Sequence, residues 1–187
     1  MKKDIEKSLE ILNKGGIILY PADTIWGLGC DATCAAAVKR IFTIKKRHDS
    51  KSLIILVSSL EMLSEYVDAV PPMAEEIIKV SAKPVTIVYP RSRNLAPGVS
   101  AEDGSVGIRI AGDTFCSALI EKFGKPVVST SANVSGKPAP VNFSEISHEI
   151  ISSADYVVTV RREEQRKGKP SPVIRVGMNG EIKIIRM

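Results

Sequence analysis

At 187 residues the chain fits one domain and is long enough to bury a full core. Its 44% hydrophobic and 25% charged residues are ordinary for a globular protein, and no apolar run approaches the roughly 20 residues of a membrane-spanning helix. The net charge of +5 is basic but too mild to establish nucleic-acid binding by itself. Three cysteines and an amino terminus without an apolar leader lead us to expect reduced thiols in a cytoplasmic protein.

Taken in chain order, residues 4–14 place Ile5, Leu9 and Leu12 on one helical face, and Gly15-Gly16 ends that helix. Ile17 to Tyr20 reads as a short buried strand that Pro21 stops, and a glycine-bearing loop follows. The spacing of Val38, Ile41 and Phe42 predicts a helix near 34–46, and Leu53 to Val57 is an apolar run of strand length. Two helices, near 59–67 and 72–81, are split by Pro71-Pro72. Val85 to Tyr89 and Val106 to Ile110 read as strands, 114–123 as a helix, and Val127-Val128 as the start of a strand. Residues 142–152 read as helical and 156–160 as strand. The tail, Val173–Val176 and Ile182–Arg186 about Gly177–Gly180, reads as a hairpin. The polar, basic stretch Glu163–Pro172 reads as a mobile loop over one face. The pattern predicts an α/β fold: one domain over 1–187, with a twisted mixed parallel/antiparallel sheet and helices packed on it.

Polar residues sit beside buried strands in four places. Tyr20–Gly29 contains Gly27, Gly29 and Ala32 at the spacing of a dinucleotide fingerprint, but Pro21 ends the strand too early for that motif. Lys45-Lys46-Arg47-His48-Asp49-Ser50-Lys51 leaves a helix and enters a strand. Its cations suit either a polyphosphate or the negative end of the helix dipole. Ser129-Thr130-Ser131-Ala132-Asn133-Val134-Ser135-Gly136 is a run of small hydroxyls and an amide, fit for phosphate or sugar oxygens or for a self-satisfied turn. Arg109 lies in an apolar strand and either faces solvent by alternation or reaches into a site. There is no Gly-x-Ser-x-Gly elbow and no P-loop. Cys30 and Cys34 lack a second ligand pair for zinc, and Cys116 is isolated. No metal site from protein side chains is expected.

Together these stretches, with Pro84-Val85-Thr86, Val106–Ile110 and Gly124–Gly136, resemble the YrdC-type threonylcarbamoyl-AMP synthases, in their short single-domain form, along nearly the whole chain. The resemblance implies an L-threonylcarbamoyladenylate synthase that makes threonylcarbamoyl-AMP and pyrophosphate from L-threonine, bicarbonate and ATP with Mg²⁺. The product serves threonylcarbamoyladenosine modification of ANN-decoding tRNAs. It implies downstream tRNA threonylcarbamoyl-transfer proteins as partners, tRNA or double-stranded RNA as a candidate contact, and no membrane. By motif, Lys45, Arg47, Ser131 and Asn133 form the catalytic, ATP-contacting tetrad. Lys51, Thr86 and Arg186 fall on the nucleotide side. Thr24, Arg109, Ser129 and Ser171 fall on the threonine side. The chain departs from the family pattern at Ala22, His48, Ser52, Pro172 and Asp113-Thr114. The resemblance also implies two rival readings: a non-catalytic RNA-binding module, which the basic charge suits, and a carbamoyl-phosphate-using maturation domain. Against the latter, no companion acylphosphatase or zinc-finger segment is present.

Overall fold

The computed structural model describes residues 1–46, 52–165 and 168–187. The order is α1 (Lys2–Asn13), β1 (Ile18–Pro21), β2 (Trp26–Gly29), α2 (Ala35–Lys45), β3 (Ile54–Val57), α3 (Leu60–Glu65), α4 (Pro72–Val80), β4 (Thr86–Tyr89), β5 (Val106–Ile110), α5 (Thr114–Phe123), β6 (Val127–Ser131), a 3-10 turn (Phe143–Glu145), α6 (His148–Ser153), β7 (Tyr156–Val157), β8 (Val173–Val176) and β9 (Ile182–Arg186).

The strands form one mixed sheet in the order β7-β1-β2-β6-β3-β5-β4-β8-β9. Pairing is parallel for β1/β7, β3/β5 and β4/β8, and antiparallel elsewhere. Successive side chains point to opposite faces, so the register assigns each residue to a side. One face carries Leu19, Leu28, Ile55, Ile87, Ile108 and Val128 into a core with Val38, Ile41 and Phe42 of α2 and Ala74 of α4. The other carries Ile18, Tyr20, Leu56 and Val127 against Ile5 and Leu12 of α1 and Phe115, Leu119 and Ile120 of α5. The position opposite Leu56 on this second face is Arg109, and the position opposite Ile54 is Ser129. The apolar cover therefore gives way to polar residues part-way across one face of the sheet.

Several elements differ from the sequence expectation. Residues 26–29 are a strand, paired with β1 and β6, and not a loop. Gly29 is there because a Cβ would lie 2.6 Å from the Tyr20 ring and 2.9 Å from the Val128 carbonyl oxygen. The glycines let a tyrosine lie flat on the sheet; they do not expose amides at a strand-to-helix turn. β6 runs on to Ser131, so Ser129, Thr130 and Ser131 are strand residues. The single helix expected over 142–152 is a 3-10 turn and a separate α6, with buried Ile146 between them. Only Tyr156 and Val157 of 156–160 pair as strand. Just beyond, Arg162 folds back and donates to the carbonyls of Val157 and Val158, at 2.6 and 2.8 Å.

Candidate active site

A cleft of about 280 Å³ opens where the apolar cover stops. Its lining comes from the β1–β2 turn (Thr24, Ile25), β2 (Trp26, Gly27), Ser52 and Ile54, Arg109 of β5, Ser129 to Ser131 of β6, Ala139, Pro170, Ser171, and Arg186 of β9. Alternation builds the floor: Ser131 lies opposite Gly27, Ser129 opposite Ile54, and Ile54 opposite Gly107.

Arg109 is not a solvent-facing strand residue. Its side chain is 5% exposed and is met over the sheet face by Asp23, Thr24 and Ser171. Nη1 donates to Ser171 Oγ at 3.1 Å and reaches Thr24 Oγ1 at 3.4 Å, while Nη2 pairs with Asp23 Oδ1 at 2.9 Å. Thr86 Oγ1 and Ser171 Oγ share a hydrogen bond of 2.7 Å. Arg186 donates through Nε and Nη2 to the Ser171 carbonyl, at 3.3 and 2.8 Å. Burial and then the nearby Arg109 charge push the Arg186 guanidinium below its ordinary range. Two cations that repel across one serine favour an anion between them. This corner thus brings together Thr24, Thr86, Arg109, Ser171 and Arg186 from five separate parts of the chain.

The opposite wall is built differently. Lys45, whose residue is 2% exposed, donates from Nζ to the carbonyls of Ser131 (2.6 Å) and Asn133 (2.7 Å), with Asn133 Oδ1 at 3.4 Å. Ser131 Oγ donates to Asn133 Oδ1, and Asn133 Nδ2 donates to the carbonyls of Val134 (3.2 Å) and Lys137 (2.6 Å). The backbone N–H of Ser135 in turn donates to the Lys45 carbonyl at 2.9 Å. Lys45, Ser131 and Asn133 therefore interlock, with Ser131 facing the cleft and the other two outside its lining. Ser129 lies on the floor above Tyr20, whose buried phenol is pushed well above its usual pKa and stays neutral. The expected site residues Arg47 and Lys51 lie outside the described residues, as do Arg166 and Lys167 of the basic loop.

Residues 168–171 run along the cleft. A Cβ on Gly168 would fall 1.8 Å from the Thr24 carbonyl oxygen, so only glycine permits that approach, and Pro170 and Ser171 follow as lining. Several cations near these segments are partly neutralised. Arg40 pairs with Asp155 at 2.9 Å, Lys46 with Glu149 at 2.7 Å and Arg161 with Glu164 at 3.0 Å.

Sequence reasoning left Asp23 and Gly107 without a role. Gly107 had a legible signal, since a glycine inside an apolar strand marks a close approach. A Cβ there would meet Ile54 and Thr86 at 3.3 and 3.4 Å.

The family model described as "Telomere recombination", covering the Sua5, YciO and YrdC proteins, matches residues 10–187. The chain belongs to this family. It is 32% identical over 158 residues to a threonylcarbamoyl-AMP synthase of Xanthomonas euvesicatoria, covering 83% of this chain and 84% of that one. It is also 32% identical over 173 residues to the synthase of Vibrio cholerae, covering 91% and 90%. Among solved structures, P. abyssi Sua5 complexed with L-threonine superposes with a TM-score of 0.81 at 28% identity. That match covers 92% of this chain but 50% of the longer Sua5, so the chain spans about half of that relative's length. E. coli YciO shares the fold, with a TM-score of 0.85 at 24% identity over 100% of this chain and 89% of the other.

Proposed function

We propose that this protein is an L-threonylcarbamoyladenylate synthase, a nucleotidyltransferase that joins L-threonine, bicarbonate and ATP into threonylcarbamoyl-AMP and releases pyrophosphate. The observation that carries this reading is the cleft's division. An Arg109 corner dressed with Thr24 and Ser171 hydroxyls suits an amino acid's carboxylate. A Lys45–Ser131–Asn133 knot on the other side presents small polar groups to a nucleotide. Curated relatives at 32% identity bear the name of this activity, and a family structure holds L-threonine.

The chemistry asks little of the protein's own nucleophiles. The threonine amine adds to carbon dioxide derived from bicarbonate and loses a proton, giving a carbamate. A carbamate oxygen then attacks the α-phosphorus of ATP, and the bond to the β-phosphate breaks to release pyrophosphate. The protein positions the two substrates and balances charge. Arg109, Thr24, Ser129 and Ser171 hold threonine. Ser131, with Lys45 and Asn133 behind it, and Thr86 and Arg186 border the nucleotide, joined in this proposal by Arg47 and Lys51. Among the described residues no group of three or more His, Cys, Asp or Glu could hold a metal. In this proposal Mg²⁺ arrives on the ATP phosphates and neutralises their charge there. The domain, proposed as one catalytic unit over 1–187, would hand its product to tRNA threonylcarbamoyl-transfer proteins; a tRNA or double-stranded RNA contact belongs to the same proposal. Among the described residues no helix is long and apolar enough to cross a membrane. The test is substrate omission: pyrophosphate release should require threonine, bicarbonate and ATP together.

A further inference from the structure

Asp23 lies beside the cleft but not in it. Its side chain is 8% exposed and borders a second cavity of about 410 Å³, lined also by Ile78, Pro84, Ile110 and Gly112. Oδ1 stands 2.9 Å from Arg109 Nη2 as a buried ion pair without hydrogen-bond alignment, and Oδ2 accepts from the Gly112 backbone N–H at 3.3 Å. The same guanidinium turns its other edge, Nη1, toward Thr24 and Ser171 in the cleft. A guanidinium is a planar fork, so holding one nitrogen fixes the direction of the other. A buried arginine without a counter-charge is strongly disfavoured.

The geometry points to Asp23 as a positioning residue for threonine: it grips Arg109 from behind, so that Nη1 is aimed at the substrate carboxylate before the substrate arrives. This rests on the threonine-binding reading of the cleft. Asp23 does not touch substrate; it acts through Arg109. The Asp23–Arg109 pair leaves Arg186 as the corner's net cation, and the substrate carboxylate meets an Arg109 edge already oriented.

The test is the isosteric Asp23→Asn, which keeps the shape and removes the charge. Threonine KM, and threonine affinity measured calorimetrically without turnover, should weaken roughly tenfold or more, because Arg109 loses its buried counter-charge. KM for ATP should stay within about twofold. In the double mutant with Arg109→Ala, the Asp23 change should add nothing further, because its route is already gone. Unchanged threonine affinity, a parallel loss for ATP, or additive effects would each overturn the assignment. Should Asp23→Asn fail to fold, the guanidinium protons of Arg109 in the wild-type protein give the answer. Slow rotation without ligand is expected, and free rotation contradicts the grip. A wild-type protein that never uses threonine would refute the proposed function, whereas selective failure of these variants refutes only the role of Asp23.

Discussion

Lys45 illustrates how much one buried side chain organises. Its ammonium is enclosed by the carbonyls of Ser131 and Asn133, so it ties the end of α2 to the end of β6. Lys45→Ala would remove the donor to the Asn133 carbonyl, at a cost of roughly 1–3 kcal/mol for a group left unsatisfied, while the Ser131 carbonyl keeps the Asn133 backbone N–H at 2.9 Å. We expect a lower urea midpoint together with loss of pyrophosphate release. A variant that lost activity at full stability would instead make Lys45 a pure phosphate ligand. The sequence showed a cation and a small-polar run but not that they meet, because 86 residues separate Lys45 from Ser131. Arg109 was similarly ambiguous: alternation places a strand residue on one face, and only the neighbours decide whether that face is wet.

At the scale of elements, helices were the more legible. The periodic apolar faces of α1, α2 and α5 appear where the spacing predicts them, within a few residues. β2 was hidden because Trp26-Gly27-Leu28-Gly29 lacks the bulk of a typical strand. The reason is tertiary, since Tyr20 occupies the space above Gly29. Gly29→Ala should therefore destabilise by about 1–3 kcal/mol, the usual range for overpacking, as read from the urea midpoint. An unchanged midpoint would mean that Tyr20 does not lie where the structure puts it. The 142–152 segment misled for the opposite reason: its propensity is helical, but burying Ile146 breaks the helix in two.

For the whole molecule, composition and alternation were enough to predict a mixed α/β sheet, but not its strand order. β6 inserts between β2 and β3, and β7 pairs with β1, through contacts far apart in sequence. One buried carboxylate helps close that circuit. Asp4 of α1 accepts from the Thr159 backbone N–H (2.6 Å), the Thr159 hydroxyl (2.8 Å) and the Tyr156 hydroxyl (3.1 Å). Burial alone would raise its pKa, but these bonds and that from the amino terminus outweigh it, and the carboxyl is held below its ordinary value. A carboxylate depressed in the folded state adds stability that is complete above its unfolded pKa of about 3.9 and is lost as pH falls through the folded value. Asp4→Asn should lower stability at neutral pH and flatten the acid limb of the urea-midpoint profile. An unaltered acid limb would show that the α1–β7 tie does not depend on the charge.

The central claim is that this cleft adenylates a carbamate made from threonine, and pyrophosphate release with each substrate withheld in turn tests it most directly. The account predicts release only when ATP, L-threonine and bicarbonate are all present, with background rates when any one is missing. Pyrophosphate released at an unchanged rate without threonine would contradict it.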